Sequence, residues 1–248
     1  SIGALRWLTW MGMISALIAR VVDPPWLPRL PGALIVIGAL LFVLPFGRML
    51  VAAYGARLIL WGVGPGTYPR GGKVHLRLWL AERFVDELGA VSIAAAPFAK
   101  FYARALGARI GPDCDLHSLP PVTGMLRLGR GAAIEPEVDL RGHWLDGGHL
   151  HIGRIRVRAE ARVGARSMLL PGADIGKRAE VAPGSAVFGQ VPAGEHWSGA
   201  PAEPAGLAPG KWWDAAPPSP RAWLLGYAAS ALMIALLPVV SITAGVAI

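Results

Sequence analysis

From Ile110 a bulky aliphatic residue recurs at every sixth position, through Leu116, Val122, Leu128, Ile134 and Leu140. After a break the count resumes at Val157 and runs through Val163, Leu169, Ile175, Val181 and Val187. Four positions after each of these stands a residue that is usually small or apolar: Cys114, Pro120, Leu126, Ala132, Val138 and Trp144, then Ala161, Ser167, Ala173, Ala179, Ser185 and Val191. A period of six fits neither the 3.6 of a helix nor the alternation of a hairpin strand, and a fixed repeat is the mark of a stacked architecture. The pattern predicts a parallel β-helix over residues 106–202. Three hexads make one triangular coil, an aliphatic points inward from each wall, and a small residue fits near each corner. Coils stack at the ordinary strand spacing of about 4.8 Å, and no single coil buries its own core. Gly111, Gly129, Gly131, Gly164, Gly172, Gly176 and Gly184 are expected at the corners, where positive φ favours glycine.

Outside the repeat the hydrophobic pattern changes period and length. Residues 2–22 are apolar except for Arg6 and Arg20, long enough to cross a bilayer with both arginines snorkelling to the headgroups. The proline-rich stretch Asp23 to Pro31 makes a stiff turn, and residues 32–54 give a second span kinked at Pro45. The expected organisation is two transmembrane helices in 1–55 and an interfacial connector in 56–105. The β-helix in 106–202 is followed by a Pro/Ala/Gly linker in 203–220 and a third transmembrane helix in 221–248. Within the connector, Gly62 to Gly72 reads as a loop. Leu76, Trp79, Leu80, Arg83, Phe84 and Glu87 fall at helical spacing, as in an amphipathic helix lying in the headgroup layer. Gly89 to Ala99 is too short to cross and, with Phe98, Phe101 and Tyr102, is expected to form an interfacial helix feeding the first coil. Trp212 and Trp213 suit an aromatic belt.

Composition agrees with lipid contact: 54% of the 248 residues are hydrophobic and 16% charged, against a globular norm of about 25% charged. The mean hydropathy is +0.46. The net charge of +8 is read as attraction to anionic lipid, because no basic run interleaved with aromatics supports nucleic-acid binding. Basic residues near the domain-side ends of the spans (Arg57, Arg70, Lys73, Lys211, Arg221) outnumber those in the opposite turn (Arg20, Arg29). The positive-inside rule then puts the β-helix in the cytoplasm, with the spans in a bacterial inner membrane. The single cysteine, Cys114, falls at an inward small position, which excludes a disulfide framework and reads as a packed thiol. The chain starts at Ser1 without a methionine and stops in an apolar run, so it reads as a segment of a longer protein.

The exit segment Val191-Pro-Ala-Gly-Glu-His-Trp-Ser-Gly-Ala-Pro-Ala202, together with the hexads, resembles the hexapeptide-repeat acyltransferases, whose β-helices are left-handed. A longer likeness is carried by Asp115-Leu-His-Ser-Leu-Pro-Pro-Val-Thr-Gly124, Ile134-Glu-Pro-Glu-Val-Asp-Leu140, Gly142-His-Trp144, Val163-Gly-Ala-Arg-Ser-Met-Leu-Leu-Pro-Gly172 and Val181-Ala-Pro-Gly-Ser-Ala186, flanked by membrane spans. It resembles one unit of the membrane-bound C-terminal region of poly-ε-lysine-synthetase-type non-ribosomal peptide synthetases. That resemblance implies condensation of a carrier-bound aminoacyl thioester, of lysine or a similar diamino acid, with an amine or a growing chain. It also implies a phosphopantetheine carrier domain as partner, with neighbouring β-helix units completing a trimer or pseudo-trimer. No cofactor is expected to bind directly. Two other readings are a free-standing membrane acyltransferase using coenzyme A and a non-catalytic copy that scaffolds active neighbours.

Amide formation from a thioester needs a base for the attacking amine, and histidine is the obvious one. His117 follows the inward Leu116 and so points outward. Eighteen residues on, one full coil, lies Glu135. The pair is expected one above the other at about 5 Å, close enough for a carboxylate to orient an imidazole. Asp115, Glu137 and Asp139 are expected to add the acidic company that a cationic substrate calls for. The phase break at Arg141 to Arg156 marks a loop leaving a regular scaffold, which makes His143 the second catalytic candidate. His149 and His151 read as surface residues and His196 as packing beside Trp197. No metal is expected, since His143, His149 and His151 share one loop. A nucleophile elbow, a Walker loop and a dinucleotide fingerprint are all missing from the sequence.

Overall fold

The computed structural model describes residues 10–12, 14–16, 31–88, 98–210 and 221–246. The chain divides into two compact units, residues 1–52, 86–90 and 219–248 in one and residues 53–85 with 91–218 in the other.

The first unit is helical. Helix α1 (Gly32–Gly38) runs into a π-helical turn (Ala39–Val43) and stops at Leu44, whose ψ of 136° is extended. Helix α2 (Pro45–Ile59) then starts on the proline itself, and from Ala53 onward it belongs to the second unit. Pro45 has no N–H to give to the preceding turn, and it forces the residue before it out of the helical region. The two arms, Gly32–Phe42 and Pro45–Ile59, meet at 74° and only together have the length and composition of a membrane-crossing helix. The single kinked span expected over 32–54 is therefore two short helices at a steep angle. Among the described residues no single helix is long and apolar enough to cross a membrane. The expected span over 2–22 lies mostly outside them. A C-terminal helix covers Arg221–Val246, with Trp223–Ile234 as its shorter apolar stretch.

The second unit carries the repeat. Strand β1 (Gly66–Pro69) comes first, inside the segment expected to be loop, followed by helix α3 (Lys73–Glu87) and helix α4 (Ala99–Leu106). Helix α3 buries Leu78, Ala81 and Val85 and leaves Leu76, Trp79 and Leu80 exposed. The protein-facing stripe is thus the opposite of the stripe singled out for lipid. Residues 89–97 lie outside the described set, but Phe98 and α4 behave as a plug. Ala99 and Ala103 join the core of the first coils, and Gly107, at φ +107°, ends the helix by giving its N–H to the carbonyls of Ala103 and Arg104.

From Arg109 the chain winds through three parallel sheets in turn. The first wall stacks β2 (Arg109–Ile110), β4 (Leu126–Leu128), β9 (Ile155–Val157), β12 (Asp174–Ile175) and β15 (Gln190–Val191). The second stacks β3 (Asp115–Leu116), β5 (Ala133–Ile134), β10 (Arg162–Val163), β13 (Glu180–Val181) and β16 (Glu195–Ser198). The third holds β6 (Asp139–Leu140), β11 (Met168–Leu169) and β14 (Ala186–Val187). Each aliphatic of the repeat pairs with its counterpart one coil on, as in Leu116↔Ile134 and Val163↔Val181. These side chains fill one continuous core, so the fold is mainly β, a three-sided parallel β-helix. Corner serines tie coils together: Ser118 Oγ donates to the Glu135 carbonyl and accepts from the Val138 N–H, both at 2.8 Å.

Three expectations about the repeat need correction. Val122 fits the count but sits half-buried in a turn, so the first coil has no strand on the third wall. The left-handed corners include charged residues as well as glycines: Asp113, Glu137, Glu160, Arg166 and Arg178 all have φ between 55° and 61°. Stacked corners are paired, Arg166 with Glu137 at 2.8 Å and Arg178 with Glu160 at 3.1 Å. Glycines such as Gly129 serve another need, close stacking, since a Cβ there would lie 2.4 Å from the Ala159 nitrogen of the next coil. The prism also runs past residue 202. Strand β17 (Glu203–Leu207) turns back antiparallel on β16, which makes the first part of the expected linker a strand; residues 211–220 lie outside the described set.

The phase break is a hairpin, β7 (His143–Asp146) and β8 (His149–Ile152), leaving the prism between the third and first walls. Strand β1 adds to its outer edge with Thr67 opposite His151, giving a small antiparallel sheet.

Candidate active site

The root of this hairpin meets α3. His143, the first residue of β7, presents Nδ1 to the Glu82 carboxylate at 3.4 Å, with side-chain exposures of 22% and 31%. That separation is long for a strong hydrogen bond. With Nδ1 given to the carboxylate, Nε2 is the nitrogen left with a lone pair. Burial pushes the His143 imidazole below its usual range; Arg141 and His75 act in the same direction and Asp139 opposes them. The ring is therefore neutral, and able to accept a proton, at neutral pH. Its backbone is held by tight packing: a Cβ on Gly142 would stand 2.8 Å from Pro121 Cβ and 2.9 Å from Thr123 Oγ1.

His117 and Glu135 do share a wall, as the eighteen-residue count requires, and the His117 N–H donates to the Ile134 carbonyl at 3.1 Å. Their side chains do not pair. Glu135 Oε2 accepts the Ala165 N–H of the following coil at 2.7 Å, while His117 Nε2 lies 3.3 Å from Asp115 in an open setting. The expected imidazole and carboxylate couple is replaced by two local contacts, because an unpaired backbone N–H lies within easier reach of the carboxylate. Nor do the other acidic residues join that face: Glu137 is the corner residue paired with Arg166, and Asp139 is on the third wall, bound to Arg141.

The remaining histidines make local contacts, beginning with His75, whose Nδ1 accepts the Gly71 N–H at 2.9 Å. His151 Nδ1 shares a hydrogen bond with Thr67 Oγ1 at 3.0 Å, and the His149 ring centroid is 6.2 Å from that of His151. His196 lies 3.9 Å from Glu180. Cys114 is buried, with Sγ donating to the Gly129 carbonyl at 2.9 Å; burial raises its pKa, as for an inert packed thiol. Among the described residues no group of three His, Cys, Asp or Glu side chains is placed to hold a metal. Glu82 could not be found by counting: it belongs to no repeat and meets His143 only through tertiary packing.

No family model matches the chain. Over 153 residues it is 31% identical to the delta-poly-L-ornithine synthetase of Acinetobacter baumannii (strain AB307-0294), a match covering 60% of this chain and 12% of that protein. The chain thus spans about an eighth of that relative's length. Among solved structures, serine acetyltransferase from Brucella abortus strain S19 overlaps 81% of this chain and 98% of its own, at 16% identity and a TM-score of 0.38. A hexapeptide-repeat acetyltransferase from Vibrio cholerae overlaps 48% and 85%, at 19% identity and a TM-score of 0.37. An N-acyltransferase from Bacillus cereus, solved with coenzyme A, overlaps 33% and 52%, at 17% identity and a TM-score of 0.31. At these scores the overlaps add nothing to the architecture that the strand pairing already establishes.

Proposed function

We propose that the β-helix unit is an amide-forming acyltransferase that moves an aminoacyl group from a pantetheine thioester to an amine, with His143 as general base. The observation that carries this reading is the half-buried His143–Glu82 pair at the hairpin root. The attacking amine forms the C–N bond at the thioester carbonyl and passes a proton to His143 Nε2. The C–S bond then breaks, and that proton returns to the departing thiolate. Glu82 holds the ring in the tautomer that leaves Nε2 basic and stabilises the imidazolium that forms, as carboxylates do in such pairs.

The similarity to a polyornithine synthetase supports a diamino acid, ornithine or lysine, as the group transferred. It also supports a carrier domain of a non-ribosomal peptide synthetase as the source of the thioester, with coenzyme A as the alternative bearer of the same arm. In this reading the apolar helices hold the unit to a bacterial inner membrane, the prism stands on the cytoplasmic side, and neighbouring β-helix units are its other partners. His117, Glu135, Asp115 and Glu137 are left outside the reacting centre, and Asp139 acts on His143 through its charge alone.

The test is amide formation by the purified chain from ornithinyl- or lysyl-pantetheine and the free diamino acid, followed by mass spectrometry. His143→Asn is expected to lose about 10²–10⁴-fold in rate, the usual worth of a general base. Product formation unchanged by that substitution would overturn the reading.

A further inference from the structure

On the first wall the outward residues of successive coils are Arg109, Arg127, Arg156 and Asp174, each in register with the next. At the lower end the charges are matched. Arg158 donates twice to the Asp174 carboxylate, at 2.8 Å each, and Arg156 lies 3.6 Å from it. Other outward arginines of the prism have acidic mates too: Arg141 with Asp139, Arg166 with Glu137, and Arg178 with Glu160. At the upper end this stops. Arg109, Arg127 and Arg154 have no ion pair or side-chain hydrogen bond to another described residue. Stacked at strand spacing, the first two repel one another: Arg109 is the leading cause holding the Arg127 guanidinium below its ordinary pKa, with burial, Arg154 and Arg156 adding to it. Arg130 and Arg162 stand singly without an acidic mate as well, but only here do three uncompensated guanidinium groups among the described residues line one place.

That place is concave. A cavity of about 810 Å³ is lined by Arg109, Arg127 and Arg154, by Arg57 from α2, and by Tyr54 and Trp61. Part of its lining is built tightly, since a Cβ on Gly124 would stand 2.1 Å from the Leu106 carbonyl oxygen. Trp61, at the mouth, is 77% exposed. Arg57 Nη1 donates to the Ala105 carbonyl at 3.2 Å, which fixes its place on the rim. Guanidinium forks match phosphate oxygens in geometry and charge, and aromatic side chains beside them offer a face to an apolar or planar group.

The geometry points to this cavity as a binding site for a phosphate ester bearing an apolar arm, with Arg109, Arg127 and Arg154 on the phosphate and Tyr54 and Trp61 along the arm. Two molecules have that chemistry: the phosphorylated pantetheine of an acyl donor and the headgroup of a phospholipid. The assignment rests on the cavity and its charges and not on His143.

The experiment is binding by the purified full chain in detergent, titrated calorimetrically with coenzyme A and with pantetheine, which lacks the phosphates. A parallel arm measures co-flotation with vesicles of phosphatidylglycerol or of phosphatidylcholine. Saturable binding of coenzyme A at least about tenfold tighter than pantetheine, lost about tenfold or more in Arg109→Gln and Arg127→Gln but kept in the control Arg130→Gln, assigns the site to the acyl donor. Flotation with phosphatidylglycerol alone, abolished by the same two substitutions and not by the control, assigns it to lipid. Binding of both probes that Arg109→Gln and Arg127→Gln leave unchanged, or of neither probe, overturns the proposal. Because His143→Asn is expected to bind coenzyme A as the parent does, a failed site and a failed catalytic reading give different results.

Discussion

The Glu82 carboxylate of α3 and the His143 imidazole of the hairpin lie 3.4 Å apart although 61 residues separate them in the chain. The imidazole faces Glu82 and His75 from α3 and Asp139 and Arg141 from the prism, and burial lowers its pKa. The base works only when neutral, so activity is lost as pH falls through that lowered value. The acid limb of the rate profile is expected below the ordinary imidazole value of about 6.5. Glu82→Gln removes the charge that favours the imidazolium; the limb moves further to acid and the maximal rate falls by about tenfold or more. A pH profile of kcat for the two proteins checks both shifts, and a superimposable pair of profiles would exclude Glu82 as the orienting group.

His117→Ala and Glu135→Ala are expected to separate. The first removes a side chain whose contact is with the open Asp115 and leaves rate and stability close to those of the parent. The second removes the exposed hydrogen bond that Glu135 makes to the Ala165 N–H of the next coil and lowers the denaturant midpoint without touching the rate, a loss of about 0.5–1.5 kcal/mol, the net worth of one such bond. Chemical denaturation beside the amide-forming assay reads both.

Excision of residues 142–152 should leave a folded prism that does no chemistry. Those eleven residues are the excess that carries Leu140 to Val157 across what the repeat counts as one step of six. Without them Arg141 leads into Gly153, and the inward aliphatics fall back into phase. Circular dichroism and thermal melting should show the β-rich fold retained while product formation disappears.

Gly129→Ala tests how closely the coils stack. The added carbon would lie 2.4 Å from the Ala159 nitrogen and 2.7 Å from the Arg158 carbonyl carbon, backbone atoms with no room to retreat. Overpacking of this kind costs about 1–3 kcal/mol, measurable as a lower denaturant midpoint at an unchanged slope.

Asp174 gives a pH dependence of stability. Hydrogen bonding from Arg158 holds its carboxyl below the ordinary range against the opposing effect of burial. A carboxyl lowered in the folded state stabilises the fold at pH values above its unfolded pKa, and that contribution vanishes as pH falls through the folded value. The melting temperature of the parent should therefore drop below about pH 4 more steeply than that of Asp174→Asn, which starts lower and has less to lose.

The three walls were legible because inward positions obey a count: each aliphatic stacks on its own kind one coil away, so the period survives in one dimension. Val122 shows where counting misleads, since a turn can hold an aliphatic at the right interval without a wall to point from. The phase break marked the hairpin, and His143 with it, but Glu82 and β1 meet the hairpin through packing that no period records. For His117 and Glu135 the register was right and the chemistry was not, because a backbone N–H on the next coil competes for the carboxylate. The arginine stack was within reach: eighteen residues separate Arg109 from Arg127, the same step that links His117 to Glu135.

Helix α4 covers the first coil with Ala99 and Ala103, and β17 folds back across the last strand of the second wall. At each end part of the terminal face, where open strand edges would recruit another chain end to end, is thus covered. An incoming chain end therefore meets a helix at one end of the prism and, on the second wall at the other, an antiparallel strand in place of a free parallel edge.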